Sequence, residues 1–121
     1  MVGAALANAL VERFRPLVPA DVIIDADGDM LVLRRDVTRG WVGVGLDVSD
    51  PKAATEIEHA TYAALRALQE FLCEQLGHPW PTPARHEPGV EVTAHEVRLW
   101  FGEIEAPALS LSPIARVDLQ R

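Results

Sequence analysis

Four histidines are the side chains of this chain most suited to metal binding or proton transfer: His59, His78, His86 and His95. Neutral imidazole is a common ligand of transition metals. A helical zinc motif needs a second histidine four positions after the first one in a His-Glu pair, but Val90 follows His86 and Leu99 follows His95 at that spacing. We therefore predict solvated surface histidines and no metal site. A small metal-dependent enzyme that uses these histidines is an alternative.

Three carboxylates alternate at Asp25, Asp27 and Asp29, as they do at the start of a calcium-binding loop. Such a loop requires glycine at its sixth position and a bidentate glutamate at its twelfth, whereas this chain has Met30 and Asp36 there. We predict an acidic hairpin turn at this position and no bound calcium.

Nucleophile and phosphate-binding motifs are also incomplete. Cys73 has acidic neighbours, Glu70 and Glu74, which disfavour the thiolate form. None of the serines lies in a G-x-S-x-G elbow, and Gly43-Val44-Gly45 has Val48 where a dinucleotide fingerprint needs its third glycine. We predict no catalytic residue, no cofactor, no small-molecule substrate and no enzyme activity.

Length and composition indicate one small acidic domain. The chain has 121 residues, of which 49% are hydrophobic and 24% charged, as expected for a single globular domain over residues 1–121. A formal net charge of −7 repels a phosphate backbone, which argues against nucleic acid as a partner. The single cysteine cannot form an internal disulfide, and the sequence has neither a signal peptide pattern nor a long apolar run. We expect a cytoplasmic protein with no membrane partner.

The first third of the chain predicts a helix and a hairpin. Apolar residues at helical spacing predict an amphipathic helix over residues 2–14. An Asp27-Gly28 pair between two apolar runs predicts a hairpin with a type I′ turn. In that register Ile24 stands opposite Leu31, and Asp21 stands opposite Arg34.

A third strand and a long helix follow. Strict alternation over residues 41–48 predicts a strand with valines and a leucine on one face. Asp50 is suited to the N-cap of a helix, Pro51 to its first position and Gly77 to its C-terminal cap. We predict one long helix between them.

The last third of the chain predicts short strands after a proline-rich connection. Residues 77–89 contain four prolines and should run extended over the surface. Short strands are predicted at 90–94, 97–101, 108–112 and 115–119, and the last two could form one bent edge strand. The element order α-β-β-β-α-β-β predicts an α+β fold with a single sheet packed by helices.

Five residues are candidates for a protein interface: Trp80, Trp41, Gly43, Gly45 and Trp100. Trp80 lies between two prolines, and a rigid aromatic side chain is a suitable anchor for an interface. It could equally fold back over the end of the long helix. The two glycines leave one strand face bare, which permits close approach by a helix, the favoured interpretation, or by another chain.

The order of elements is similar to that of two families of small α+β proteins. In the tail-terminator and head-to-tail completion proteins of tailed phages, an N-terminal helix, three strands and a long helix precede further strands, and identical copies form a ring. Residues 2–14, residues 22–48 and the helix that opens at Asp50-Pro51-Lys52-Ala53-Ala54 fill those places here. The chain also resembles the type III secretion chaperone-like fold, with Leu76-Gly77 before a proline-containing loop, but it lacks that family's final helix.

These resemblances imply function through protein contacts. We predict a non-enzymatic protein–protein interaction module that forms a homo-oligomer, most concretely a small phage-type virion structural protein located in the virion. A secretion-chaperone-like dimeric binding protein is the alternative.

Overall fold

The structure is a computed structural model that describes residues 2–35, 41–50, 52–81 and 86–120, with the backbone alone at Trp41. The α+β class and the order of elements are as predicted. The described elements are α1 (Val2–Phe14), β1 (Val22–Asp27), β2 (Met30–Arg35), β3 (Trp41–Gly45), α2 (Ala54–Leu76), β4 (Pro88–Val92), β5 (Glu96–Gly102), β6 (Pro107–Ser110) and β7 (Ile114–Ala115), with short 3₁₀ helices at Arg15–Leu17 and Arg116–Gln120.

The strands form two sheets, so the prediction of a single sheet is wrong. The first sheet has the order β1-β2-β3, and the second has the order β4-β5-β6 with β7 also paired to β5. All described pairings are antiparallel. Helix α2 connects the two sheets and contacts both β3 and β4. Each sheet therefore buries its apolar face against a helix and does not need to pair with the other sheet.

Helix α1 has the predicted bounds and packs against the first sheet. Leu6, Leu10 and Phe14 are fully buried against β1 and β2. At the end of the helix, Arg13 donates from Nε to Ser112 O and from Nη2 to Pro113 O, both at 2.7 Å. The helix therefore holds the C-terminal part of the chain as well as the first hairpin.

The first hairpin is confirmed, but its turn is one residue later than predicted. Asp27 pairs with Met30, so Gly28 and Asp29 form the two-residue loop. Gly28 has a φ of 62°, and no described non-glycine residue has a positive φ. A positive φ at the first central residue alone fits a type II′ turn, whereas type I′ requires it at both central residues.

The shifted turn changes the cross-strand partners but not the faces of the strands. Ile24 pairs with Leu33 instead of Leu31, and both leucines remain on the buried side. The predicted ion pair of Asp21 forms with Arg35, not Arg34, at 2.6 Å between Oδ2 and Nε. The hydrogen bond from Arg35, assisted by its positive charge, holds the pKa of Asp21 below its ordinary value.

Helix α2 begins later than predicted and ends as predicted. Asp50 Oδ1 accepts a hydrogen bond from Lys52 N at 2.8 Å, so Asp50 caps a turn before the helix, which starts at Ala54. Gly77 adopts φ 71° and donates from its N–H to Cys73 O at 3.0 Å, which ends the helix. The predicted apolar stripe is buried over Ile57, Ala60, Ala64, Leu65, Leu68, Phe71 and Leu72.

The later strands differ from the prediction in their bounds. β4 begins at Pro88, and β6 and β7 are separate strands that both pair with β5. The strand predicted over 115–119 is a 3₁₀ helix from Arg116. In the proline-rich connection Trp80 and Pro81 are buried, so the prediction of a surface course is wrong there, and residues 82–85 lie outside the described residues.

Candidate interaction surface

Strand β3 has one edge that no other described strand covers, which we call the open edge. It pairs with β2 on one side and with no other described strand on the other. Gly43 and Gly45 are exposed, and the exposed area of a glycine is backbone. The strand therefore offers peptide groups that another strand could bind.

The hydrogen-bonding pattern identifies which residues face this open edge. Leu46 N donates to Asp29 O at 2.9 Å, toward the β1–β2 hairpin. Because the N–H and C=O groups of successive strand residues point to opposite edges, Val44 and Val42 also face β2. The peptide groups that face the open edge belong to Trp41, Gly43 and Gly45.

The other edge strands carry features that discourage pairing. β1 contains Asp25 and Asp27, β4 contains Pro88 and Glu91, and β6 contains Pro107. Strand β7 has only two residues. β3, with the sequence Trp-Val-Gly-Val-Gly, has neither a charged residue nor a proline. Charges and prolines are the usual protection of strand edges, and β3 is the described edge strand of more than two residues that lacks both.

The outer face of the first sheet is the face opposite the helices. It is formed, by strand alternation, by Ile23, Asp25, Asp27, Met30, Val32, Arg34, Gly43 and Gly45. Met30 is 37% exposed there, whereas Leu31 and Leu33 on the opposite face are fully buried. This outer face adjoins the open edge of β3 and adds apolar surface to it.

The glycines of β3 do not receive a helix, so the favoured interpretation of these residues is wrong. A Cβ atom built on Gly45 meets no atom within 4 Å. Both helices pack on the other face of the sheet, where the leucines of β2 are buried. Approach by another chain, the second interpretation of these glycines, is the one that fits their exposure.

Trp80 is a core residue. Only 9% of it is exposed, and its ring meets Phe101 edge to face, with ring centroids 5.1 Å apart and an angle of 80° between the planes. The alternative in which Trp80 folds back over the end of the long helix therefore holds. Without an exposed indole, Trp80 cannot anchor an interface, and that prediction is wrong.

Two side chains of α2 hold the backbone around Trp80. Gln69 is fully buried and donates from Nε2 to Trp80 O at 3.2 Å and to His86 O. Cys73 Sγ accepts from Trp80 N at 3.2 Å. The sequence analysis did not identify this role of Gln69. The feature that could have indicated it is the position of Gln69, a polar residue, within the apolar stripe of the helix.

Trp100 is half-buried on the outward side of the second sheet. Its indole lies against Gly89, where a Cβ atom would collide with the ring, and its Nε1 donates to Gly102 O at 3.2 Å. It lines a surface pocket of about 300 Å³ together with Arg98 and Ile104. Next to it Arg98 pairs with Glu91 at 3.1 Å, so this face carries an ion pair beside the indole.

The candidate chemical residues are not brought together. His59, His78 and His95 are exposed and His86 is half-buried. Across the described residues, no group of three or more histidine, cysteine, aspartate or glutamate side chains could hold a metal ion. Asp25 contacts Arg15 at 3.4 Å.

No protein-family model, curated protein or solved structure matches this chain. Neither helix in the described part of the chain is long and apolar enough to cross a membrane.

Proposed function

We propose that this protein is a non-enzymatic assembly module that acts by binding other protein chains and forms a homo-oligomer. The observation that carries the proposal is the open edge of β3. Its strand has exposed residues and contains neither a charged residue nor a proline. A strand edge of this kind binds an extended strand through main-chain hydrogen bonds.

Apolar side chains beside the edge support association. Val42, at the edge, is 38% exposed, and Met30, on the neighbouring strand, is 37% exposed. Burial of apolar surface contributes roughly 25 cal/mol per Å² removed from water. Each main-chain hydrogen bond adds about 0.5–1.5 kcal/mol net, because it replaces a bond to water.

The most concrete form of the proposal is a small phage-type virion structural protein. It rests on the element order, in which an N-terminal helix, three strands and a long helix precede further strands. Such proteins act as repeated copies in contact with one another, a role for which an adhesive strand edge is suited.

The charge of the chain makes the proposal testable by salt. A formal net charge of −7 opposes self-association, whereas residues 41–45, which form the proposed contact, carry no formal charge. Added salt screens the repulsion and leaves the hydrogen bonds and apolar contacts. We therefore expect association to strengthen as the salt concentration rises.

The experiment is the absolute mass of the purified protein by light scattering across a concentration series at low and at high salt. We expect a mass of at least twice the 13.2 kDa of one chain, reached at lower protein concentration in high salt. A mass of one chain at every concentration and salt would reject the proposal. Association that weakens with salt would indicate contacts between charged surfaces instead.

A further inference from the structure

We infer that two copies of this chain pair through β3 in an antiparallel arrangement about a two-fold axis at Gly43. The inference rests on the proposed function and specifies its partner, a second copy, and its register. It joins the two three-stranded sheets into one continuous sheet across the dimer.

The hydrogen-bonding groups at the open edge match this register. In an antiparallel pair, alternate residues exchange both of their main-chain hydrogen bonds with the residue opposite. With Gly43 opposite its own copy, Trp41 stands opposite Gly45 of the second chain, and Gly45 stands opposite Trp41. Each of the three residues whose peptide groups face the open edge therefore lies opposite a residue whose peptide groups also face the open edge of its own chain.

Other registers use the edge less completely. A shift by two residues pairs Gly43 with Gly45 and leaves Trp41 opposite Asp47, beyond the end of the strand. A shift by one residue sets the outward peptide groups of one chain against peptide groups that already face β2 in the other. The register centred on Gly43 therefore gives the largest number of bonds.

Side-chain sizes also fit this register. On the outer face, Gly43 and Gly45 carry no side chain, and a Cβ atom on Gly45 would meet nothing within 4 Å, so a second strand can approach there without a clash. On the other face, Val42 of one chain stands opposite Val44 of its copy. Val42 is 38% exposed in the single chain, so pairing would bury apolar surface that is now hydrated.

In a two-fold pairing, the open edge of each β3 is bound by the other copy and is no longer available to a third chain. Both β3 edges are occupied in the dimer, so this contact closes and does not continue into a fibre. The edges left at the two ends of the joined sheet belong to β1, which carries Asp25 and Asp27. The self-complementary contact therefore favours a defined dimer as the unit of assembly.

Cysteine cross-linking tests the register. Two variants, Gly43→Cys and Gly45→Cys, are made in a Cys73→Ser background, which removes the native thiol and keeps an acceptor for Trp80 N. Residues 43 of the two chains would have Cα atoms about 5.5 Å apart, within disulfide range, because they face each other across the axis. Residues 45 would be offset by four positions, about 14 Å along the strand, which a disulfide cannot span.

We expect Gly43→Cys to form the covalent dimer under mild oxidation roughly tenfold faster than Gly45→Cys, its matched control. Equal or faster cross-linking of Gly45→Cys would overturn the register. A dimeric mass in solution without cross-linking of either variant would overturn the pairing through β3 and leave the proposed function standing. A monomeric parent chain would reject both.

Amide hydrogen exchange on the unmodified chain gives a second test that requires no variant. The N–H groups of Gly43 and Gly45 should exchange roughly tenfold more slowly at high protein concentration than at low concentration, because pairing protects them. The N–H groups of Val42 and Val44, which face β2, should be protected at both concentrations. Exchange at Gly43 and Gly45 that is independent of concentration would overturn the inference.

Discussion

At the scale of single residues, Arg35 joins the first hairpin to the end of the long helix. Its Nε donates to Asp21 Oδ2 at 2.6 Å, and its Nη1 donates to Gln75 O at 2.8 Å. Gln75 belongs to the last turn of α2, where carbonyl groups lack helical partners and a positive charge is favourable. One guanidinium group thus stabilises two elements that are distant in sequence.

Replacement of Asp21 by asparagine should reduce stability at neutral pH and change its dependence on acid. The pKa of Asp21 is lowered in the folded chain, first by its hydrogen bond from Arg35, so the carboxylate contributes stability above its ordinary pKa. That contribution is lost as the pH falls through the lowered folded value. We expect Asp21→Asn to melt below the parent at pH 7 and to approach it in strong acid.

Thermal unfolding across a pH series measures this difference. Asp25→Asn is the matched control, because its contact with Arg15 is longer, at 3.4 Å, and both side chains are more than half exposed. A difference for Asp21→Asn that stays constant from pH 7 to strong acid would contradict the assignment.

Replacement of Trp80 by alanine should destabilise the fold without a direct effect on assembly. Trp80 is buried against Phe101 and its backbone is held by Gln69 and Cys73. Truncation of a buried aromatic side chain typically costs about 3–5 kcal/mol of unfolding free energy. Urea unfolding measures the cost, and Trp100→Ala, at a half-buried position, should cost less. A fully stable Trp80→Ala chain with a lower oligomeric mass would restore Trp80 as an interface residue.

At the scale of elements, local sequence patterns predict where helices and strands lie better than they predict which residues and elements pair with each other. The spacing of Leu6, Leu10 and Phe14 and the prolines after them gave the correct bounds of α1. Gly77 correctly marked the end of α2, because a left-handed cap is a local requirement. The start of α2 could not be read in the same way, since Asp50 hydrogen-bonds a turn before the helix instead of the helix itself.

The hairpin illustrates the same limit at its turn. Gly28 can occupy a central position whether the loop is Asp27-Gly28 or Gly28-Asp29, and the sequence offers Asp21 two consecutive arginines, Arg34 and Arg35. The choice depends on packing of the strand residues against α1, which the local sequence does not contain. The buried position of Trp80 and the separation into two sheets likewise depend on contacts between distant segments.

Replacement of Gly28 by alanine should destabilise the first hairpin. Its φ of 62° at the first central position of a type II′ turn is free of strain for glycine, whereas residues with a Cβ atom rarely adopt it, at a cost of roughly 1–3 kcal/mol. Since a Cβ atom there meets nothing within 4 Å, the cost is conformational and not steric. Equal unfolding free energies of Gly28→Ala and the parent in urea would contradict the turn assignment.

At the scale of the whole molecule, the two sheets share one core but differ at their surfaces. Buried residues from both helices and both sheets form a single cluster. The outward side of the second sheet carries the ion pair of Arg98 with Glu91, whereas the first sheet ends at an edge without charge. The sequence indicated β3 through its two glycines, but only the strand order identified it as an edge. The proposed assembly contact therefore lies at β3.

The most direct test of this claim is the solution mass of Gly43→Pro beside Gly43→Ala and the parent chain. Proline removes the N–H that faces the open edge and leaves the bonds to β2 in place, whereas alanine keeps that N–H. With circular dichroism confirming that each variant is folded, we predict a monomeric mass for Gly43→Pro and an oligomeric mass for the other two. An oligomer of Gly43→Pro as stable as the parent, or a monomeric parent, would contradict the account.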